Sequence, residues 1–203
     1  MFFSSIFRWL ALLTVPMVLT AATCVAAGPM ETVKKITDRT IFILADEKLK
    51  APEREAEKQE LLREAADEFF DWRSMAQTAL SVHWRKRTPE EKEEFTRLFA
   101  EFLEKTYMDK VEGYSGEKIE YLEEWIDREY PDEAVVKANV MTEKQGAIPV
   151  EYLMFEKDGT WKVYDVLVEG VSLLRNYTSQ FNSIILRSSY EELVDMLKEK
   201  IGS

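Results

Sequence analysis

The side chain best placed to do chemistry is Asp165, which sits among apolar neighbours in the run Trp161-Lys162-Val163-Tyr164-Asp165-Val166-Leu167-Val168. Burial in such a strand disfavours the charged carboxylate, raises its pKa and suits it to shuttling a proton. A buried carboxylate has a second use: it is normally hydrogen-bonded, and the corner at Gly170 offers donors that would make Asp165 a structural anchor. His83 is the single histidine and Cys24 the single cysteine, too few side chains for a zinc site. Glu90, Glu91, Glu93 and Glu94 are spaced as a solvated helix face rather than as metal ligands. The chain carries neither a glycine-rich phosphate loop nor a serine nucleophile elbow.

Composition narrows the partners. Arg8, the uncharged run from Trp9 to Val18, the break at Pro16 and the small residues Val25-Ala26-Ala27 predict a secretory signal over residues 1–27, cleaved after Ala27. The 19 uncharged residues from Trp9 to Ala27 also approach the length of a membrane anchor, which is the alternative. Ala21-Ala22-Thr23 lacks the aliphatic residue expected before a lipidated cysteine. Cleavage would remove the cysteine and leave residues 28–203 as one domain with a core of its own. Taking Arg8 from the 27 basic side chains leaves 26 against 38 acidic ones and moves the formal charge from −11 to −12. That charge opposes nucleic acid and anionic membrane surfaces, so any lipid must be met in an enclosed site or through docking to proteins.

The elements follow from apolar spacing. Val33, Ile36, Ile41 and Leu44 predict a first helix, and Leu61, Leu62, Ala65, Ala66 and Phe69 a second, with a charged, solvated link between them. A short third helix follows. Thr88 and Glu91 form a capping box around Pro89 and open a long helix whose stripe is Phe95, Leu98, Phe99, Phe102, Leu103 and Val111. Beyond Gly116 the period falls to two, and turn residues divide the chain into four strands over 118–127, 133–142, 147–157 and 160–168. Ser172 then caps a helix with the stripe Leu174, Tyr177, Phe181, Ile184 and Ile185, and Ser189 with Glu192 opens the last one. The fold class is α+β: an antiparallel meander of four strands wrapped by N-terminal and C-terminal helices.

WKVYDVLVEGVSLLRNYTSQF, residues 161–181, is one of two stretches that carry a family resemblance. It is close to the C-terminal string of the MlaC family of periplasmic phospholipid carriers. The other carries Phe70, Asp71, Met75, Ala76, Ala79, Leu80, Trp84, Thr88, Pro89, Phe95, Phe99, Tyr107 and Tyr114 at matching positions. Ser81 stands where the family pattern has Gly, a departure expected to alter the turn after Leu80 only slightly. The resemblance covers about residues 30 to 200.

Taken alone, the wide apolar faces of the strands and helices fit a densely filled core. The resemblance implies instead a cone enclosing an apolar cavity that takes the acyl chains of a glycerophospholipid and leaves its head outside. Each methylene of an acyl chain is worth about 0.8 kcal/mol on burial, so a carrier must wall the tails off from water. The residues expected to line that cavity are Met75, Leu80, Phe99, Val136, Ala138, Val150, Tyr152, Tyr164, Val166, Val168, Leu174, Tyr177 and Phe181. Arg175 and Asn176 lie near its expected mouth.

The resemblance further implies a monomer that needs no cofactor and performs no covalent step. It would exchange lipid with an MlaA-like lipoprotein–porin complex of the outer membrane and an MlaD-like ring on an inner-membrane ABC transporter. A periplasmic cavity enzyme using Asp165, and a periplasmic adaptor or chaperone holding a peptide, are the alternatives.

Overall fold

Local signals set most element boundaries in the computed structural model, which describes residues 27–202 apart from Ser115 and Lys144. Of the expected signal over residues 1–27, residues 1–26 lie outside the described residues. Helices α1 (Pro29–Ala45), α2 (Glu55–Phe69), α3 (Trp72–Leu80) and α4 (Pro89–Glu112) come first. Strands β1 (Lys118–Ile126), β2 (Glu133–Thr142), β3 (Gly146–Lys157), β4 (Thr160–Val168) and β5 (Val171–Ser172) follow, then helices α5 (Leu173–Arg187) and α6 (Tyr190–Gly202). The capping box is made in both directions: the Thr88 amide donates to Glu91 at 2.7 Å, and the Glu91 amide donates to Thr88 Oγ1 at 3.2 Å. Asp71 caps α3 by accepting from the Ser74 amide at 2.7 Å.

The strands form one antiparallel sheet in the order β1-β2-β3-β4-β5. Asp158 and Gly159 both have positive φ, 53° and 74°, the geometry that a two-residue hairpin loop between right-twisted strands requires. Glu169 and Gly170 repeat it at 52° and 76°, and so create a fifth strand, β5, that the meander of four does not include.

A bulge in β4 decides which residues face inward. Leu153 of β3 pairs with Asp165 and the next residue, Met154, pairs with Val163, so Tyr164 has no partner and the alternation of β4 reverses. Tyr164, Val166 and Val168, expected on one face, are therefore split. Val166 and Val168 stand opposite the inward-facing Tyr152 and Val150, whereas Tyr164 turns to the other face against Phe155 at 5.9 Å between ring centres.

Two inward layers result. Phe95, Phe99, Phe181, Leu174, Leu193 and Leu197 join α3, α4, α5 and α6 in a helical core. Val136, Met154 and Val163 from the sheet meet Val33 and Ile36 of α1 in a second core. A small third cluster, Ile43, Leu49 and Leu62, lies between α1, α2 and the link joining them. The free edge of β4 is covered where α2 ends, because Phe70 bridges Val163 in parallel and the Asp71 amide donates to the Val163 carbonyl at 2.9 Å.

Candidate functional site: an apolar cavity between three clusters

Compact domains usually have one contiguous core, but here three clusters stop short of merging. Met75, Leu103 and Tyr107 come from the helical cluster, Ile36, Phe69 and Val166 from the sheet cluster, and Leu62 and Met108 from the third. All of them line one cavity of about 300 Å³. Small or flexible side chains at the seam, Ala65, Ala66, Met75 and Met108, leave space that the stacked and edge-on Phe rings elsewhere fill. Val111 and Val168 line it while remaining 37% and 45% exposed, which marks where the cavity meets solvent.

Its polar content is slight and mostly satisfied. Thr40 Oγ1 donates to the Ile36 carbonyl at 2.9 Å. Tyr107 and Tyr177 hydroxyls lie 3.4 Å apart, and burial raises the pKa of the Tyr177 phenol. On the inner face of the sheet, outside the cavity lining, burial likewise pushes the Tyr152 phenol up to about 12. Glu104 is the carboxylate among the lining residues. Burial raises its pKa and outweighs the Arg63 guanidinium held 3.3 Å away. A wall of this kind attracts alkyl groups and offers no activated nucleophile.

Asp165 does not open into this space. One of its oxygens accepts from the Val166 amide at 2.8 Å and the Leu174 amide at 3.2 Å, and the other accepts from Ser172 Oγ at 2.5 Å. Ser172 in turn accepts from the Arg175 amide and caps α5. The carboxylate thus ties β4 to the first turn of α5. Its donors are at Val166, Ser172 and Leu174 rather than at the Gly170 corner itself.

Of the residues expected at the cavity, Met75, Val166 and Val168 are brought together on its wall. Leu80, Phe99, Leu174, Tyr177 and Phe181 lie in the helical core. Val136, Ala138, Val150 and Tyr152 share the inner face of the sheet, and Tyr164 is on the outer face for the reason given by the bulge. Arg175 and Asn176 are exposed at the start of α5 and are not among the lining residues. Sequence reasoning passed over Leu62, Ala65 and Ala66 of α2 and Tyr107 and Met108 of α4 as lining residues. The available signal was the apolar stripe of α4 running on past Phe102 to Val111, beyond the aromatic residues that fill the core.

The family model described as MlaC protein matches residues 34–199. Over 125 residues the chain is 25% identical to the intermembrane phospholipid transport system binding protein MlaC of Haemophilus influenzae, a match covering 59% of this chain and 57% of that protein. The chain thus matches little more than half the length of that relative. A phospholipid-binding protein from Ralstonia solanacearum, solved in complex with a phospholipid, shares the fold at a TM-score of 0.75 and 23% identity. That comparison covers 87% of this chain and 98% of the other. Since the family match runs from within α1 to within α6 and takes in every strand around the cavity, this chain belongs to the MlaC family.

Proposed function

We propose that this chain is a periplasmic phospholipid carrier that holds acyl chains in the apolar cavity and moves lipid between complexes of the two membranes, so maintaining the lipid asymmetry of the outer membrane. The observation that carries the reading is the unfilled seam between three apolar clusters, about 300 Å³ in volume and open to solvent beside Val111 and Val168. Family membership and the phospholipid bound to the Ralstonia protein support it. The residues proposed to touch the tails are Met75, Val166 and Val168, with the remaining inward-facing sheet residues joining as the cavity widens.

Widening is required. A cavity of 150 Å³ takes one benzene, so about 300 Å³ accommodates roughly a dozen carbon atoms, less than one acyl chain of ordinary length. Holding a whole acyl chain therefore requires the cavity to widen, a shift of population toward an expanded conformation. Delivery then needs partners that shift this balance, for which an MlaA-like lipoprotein–porin complex and an MlaD-like transporter ring are the proposed donors and acceptors. Removal of residues 1–27 after Ala27 is part of the same proposal, because it frees the domain into the periplasm.

Extraction of the purified protein with organic solvent tests the reading. Phospholipid is expected at close to one molecule per chain, and a lipid-free protein would refute it. Val166→Glu places a carboxylate on the cavity wall, where an unpaired charge is costly to bury. Bound lipid should fall at least about tenfold while the far-ultraviolet circular dichroism stays that of the parent, since 1.4 kcal/mol alone is a factor of ten. Unchanged lipid content would remove Val166 from the site.

A further inference from the structure

The wall of the cavity has a weak joint. Leu62, Ala65 and Ala66 line the space from α2, and Tyr107, Met108 and Val111 line it from α4, so the seam between these antiparallel helices is part of the wall. Yet α2 packs closely on α1, and α4 on α3 and α6, while the backbones of α2 and α4 hardly approach each other. Met108 packs against the small cluster of Ile43, Leu49 and Leu62, and the ion pairs Lys58–Glu112 at 3.4 Å and Arg63–Glu104 at 3.3 Å bridge the seam. Both pairs are partly exposed, and such pairs hold weakly.

Their places along the helices differ in depth. Glu112 follows Val111 at the mouth, whereas Glu104 lines the cavity about two turns, or about 12 Å, earlier along α4. The C-terminal end of α2 is fastened to the sheet instead. Phe70 bridges Val163, the Asp71 amide donates to the Val163 carbonyl at 2.9 Å, and Lys162 Nζ donates to the Asp67 and Glu68 carbonyls at 3.0 Å and 2.6 Å. Three shorter ion pairs, Lys35–Glu68 at 2.6 Å, Arg39–Glu68 at 2.8 Å and Arg39–Glu64 at 3.0 Å, add to the packing of α2 on α1. Helix α2 is thus fixed at the end far from the mouth and held loosely at the end beside it.

We propose that the cavity widens by a swing of α2 away from α4 about a pivot at Phe69–Asp71, and that Lys58–Glu112 and Arg63–Glu104 are the clasps that hold this seam shut. The inference rests on the carrier reading above. The swing enlarges the opening beside Val111 and Val168 first, and it carries the C-terminal half of α1 along through Ile43 and Leu49. The other joints of the wall resist more strongly. Asp165 ties β4 to α5, and Phe95, Phe99 and Phe181 lock α4 to α5.

A covalent staple across the seam tests the swing. Lys58→Cys and Glu112→Cys are combined in one protein and coupled by a short bis-maleimide, with the linkage confirmed by peptide mass spectrometry. Protein stripped of lipid is mixed with vesicles of dioleoyl phosphatidylethanolamine and dioleoyl phosphatidylglycerol, and lipid bound after gel filtration is followed in time. The stapled form should take up lipid at least about tenfold more slowly than the same protein before coupling, which lacks the outer clasp and stays free to open. Glu112→Gln should speed uptake about threefold, the scale of one partly exposed ion pair. Lys198→Gln, which removes the α4–α6 pair with Glu94, should leave the rate as it was. Equal uptake by the stapled and unstapled forms, or an unchanged rate in Glu112→Gln, overturns the clasps while the carrier reading stands. No lipid on any form, the parent included, overturns both.

Discussion

Ser81 and Asp165 each carry a local burden that ordinary residues do not. Ser81 ends α3 at φ 49° and ψ −124°, a backbone region suited to Gly, and its amide donates to the carbonyls of Gln77 and Thr78. The family pattern has Gly here, and a Cβ at this positive φ crowds the backbone in a way that Gly does not. Ser81→Gly should therefore stabilise the protein by about 1 kcal/mol, seen as a rise of a few degrees in Tm. Asp165 is 8% exposed and meets three donors, an arrangement in which the acceptor is costly to remove. Asp165→Asn puts an amide N–H where donors converge and should cost about 2–4 kcal/mol in urea unfolding. A variant as stable as the parent would return Asp165 to the role of a free proton carrier.

At the scale of elements, the sequence was most legible where a short motif fixes a boundary by itself. The capping box at Thr88, the Asp158–Gly159 hairpin and the Ser172 cap each depend on a few adjacent residues, and each stands where the spacing predicts it. The bulge at Tyr164 depends on how β4 pairs with β3, a relation between distant residues that no local pattern records. The cavity was hidden for a similar reason: its wall is assembled from α1, α2, α3, α4, β4 and the start of α5, whereas the apolar stripes by themselves fit a filled core equally well. The contact between α2 and α4 has its own consequence. Burial raises the Glu104 pKa, so the native state binds that proton more tightly than the unfolded chain. Its contribution to stability is thus fully present below the unfolded value and is lost as pH rises through the higher native value. Paired carboxylates such as Glu55 and Glu68, whose pKa values are lowered by Lys58 and Lys35 respectively, act with the opposite sign. Glu104→Gln should therefore make the rise of unfolding free energy with pH steeper just above the usual Glu pKa of 4.5, measured as urea midpoints across that window.

For the molecule as a whole, a hollow interior and a filled one respond to added volume with opposite signs. Ala66 lies on the wall of the cavity, on the helix that faces both α1 and the seam with α4. In a filled core, Ala66→Leu would force neighbours off their rotamers and cost about 1–3 kcal/mol. In a cavity of about 300 Å³ the added carbons find apolar contact instead, each methylene worth about 0.8 kcal/mol before the loss of side-chain freedom. The lipid-free variant should consequently be more stable than the parent by about 1 kcal/mol, and it should hold less phospholipid, because the same volume serves both. The two effects must appear together. Greater stability with undiminished lipid would mean that the tails lie elsewhere, and lower stability would mean that the space around Ala66 is already filled. Measuring urea midpoints on stripped protein beside lipid content after reloading therefore separates a carrier's cavity from an ordinary core without reference to any partner.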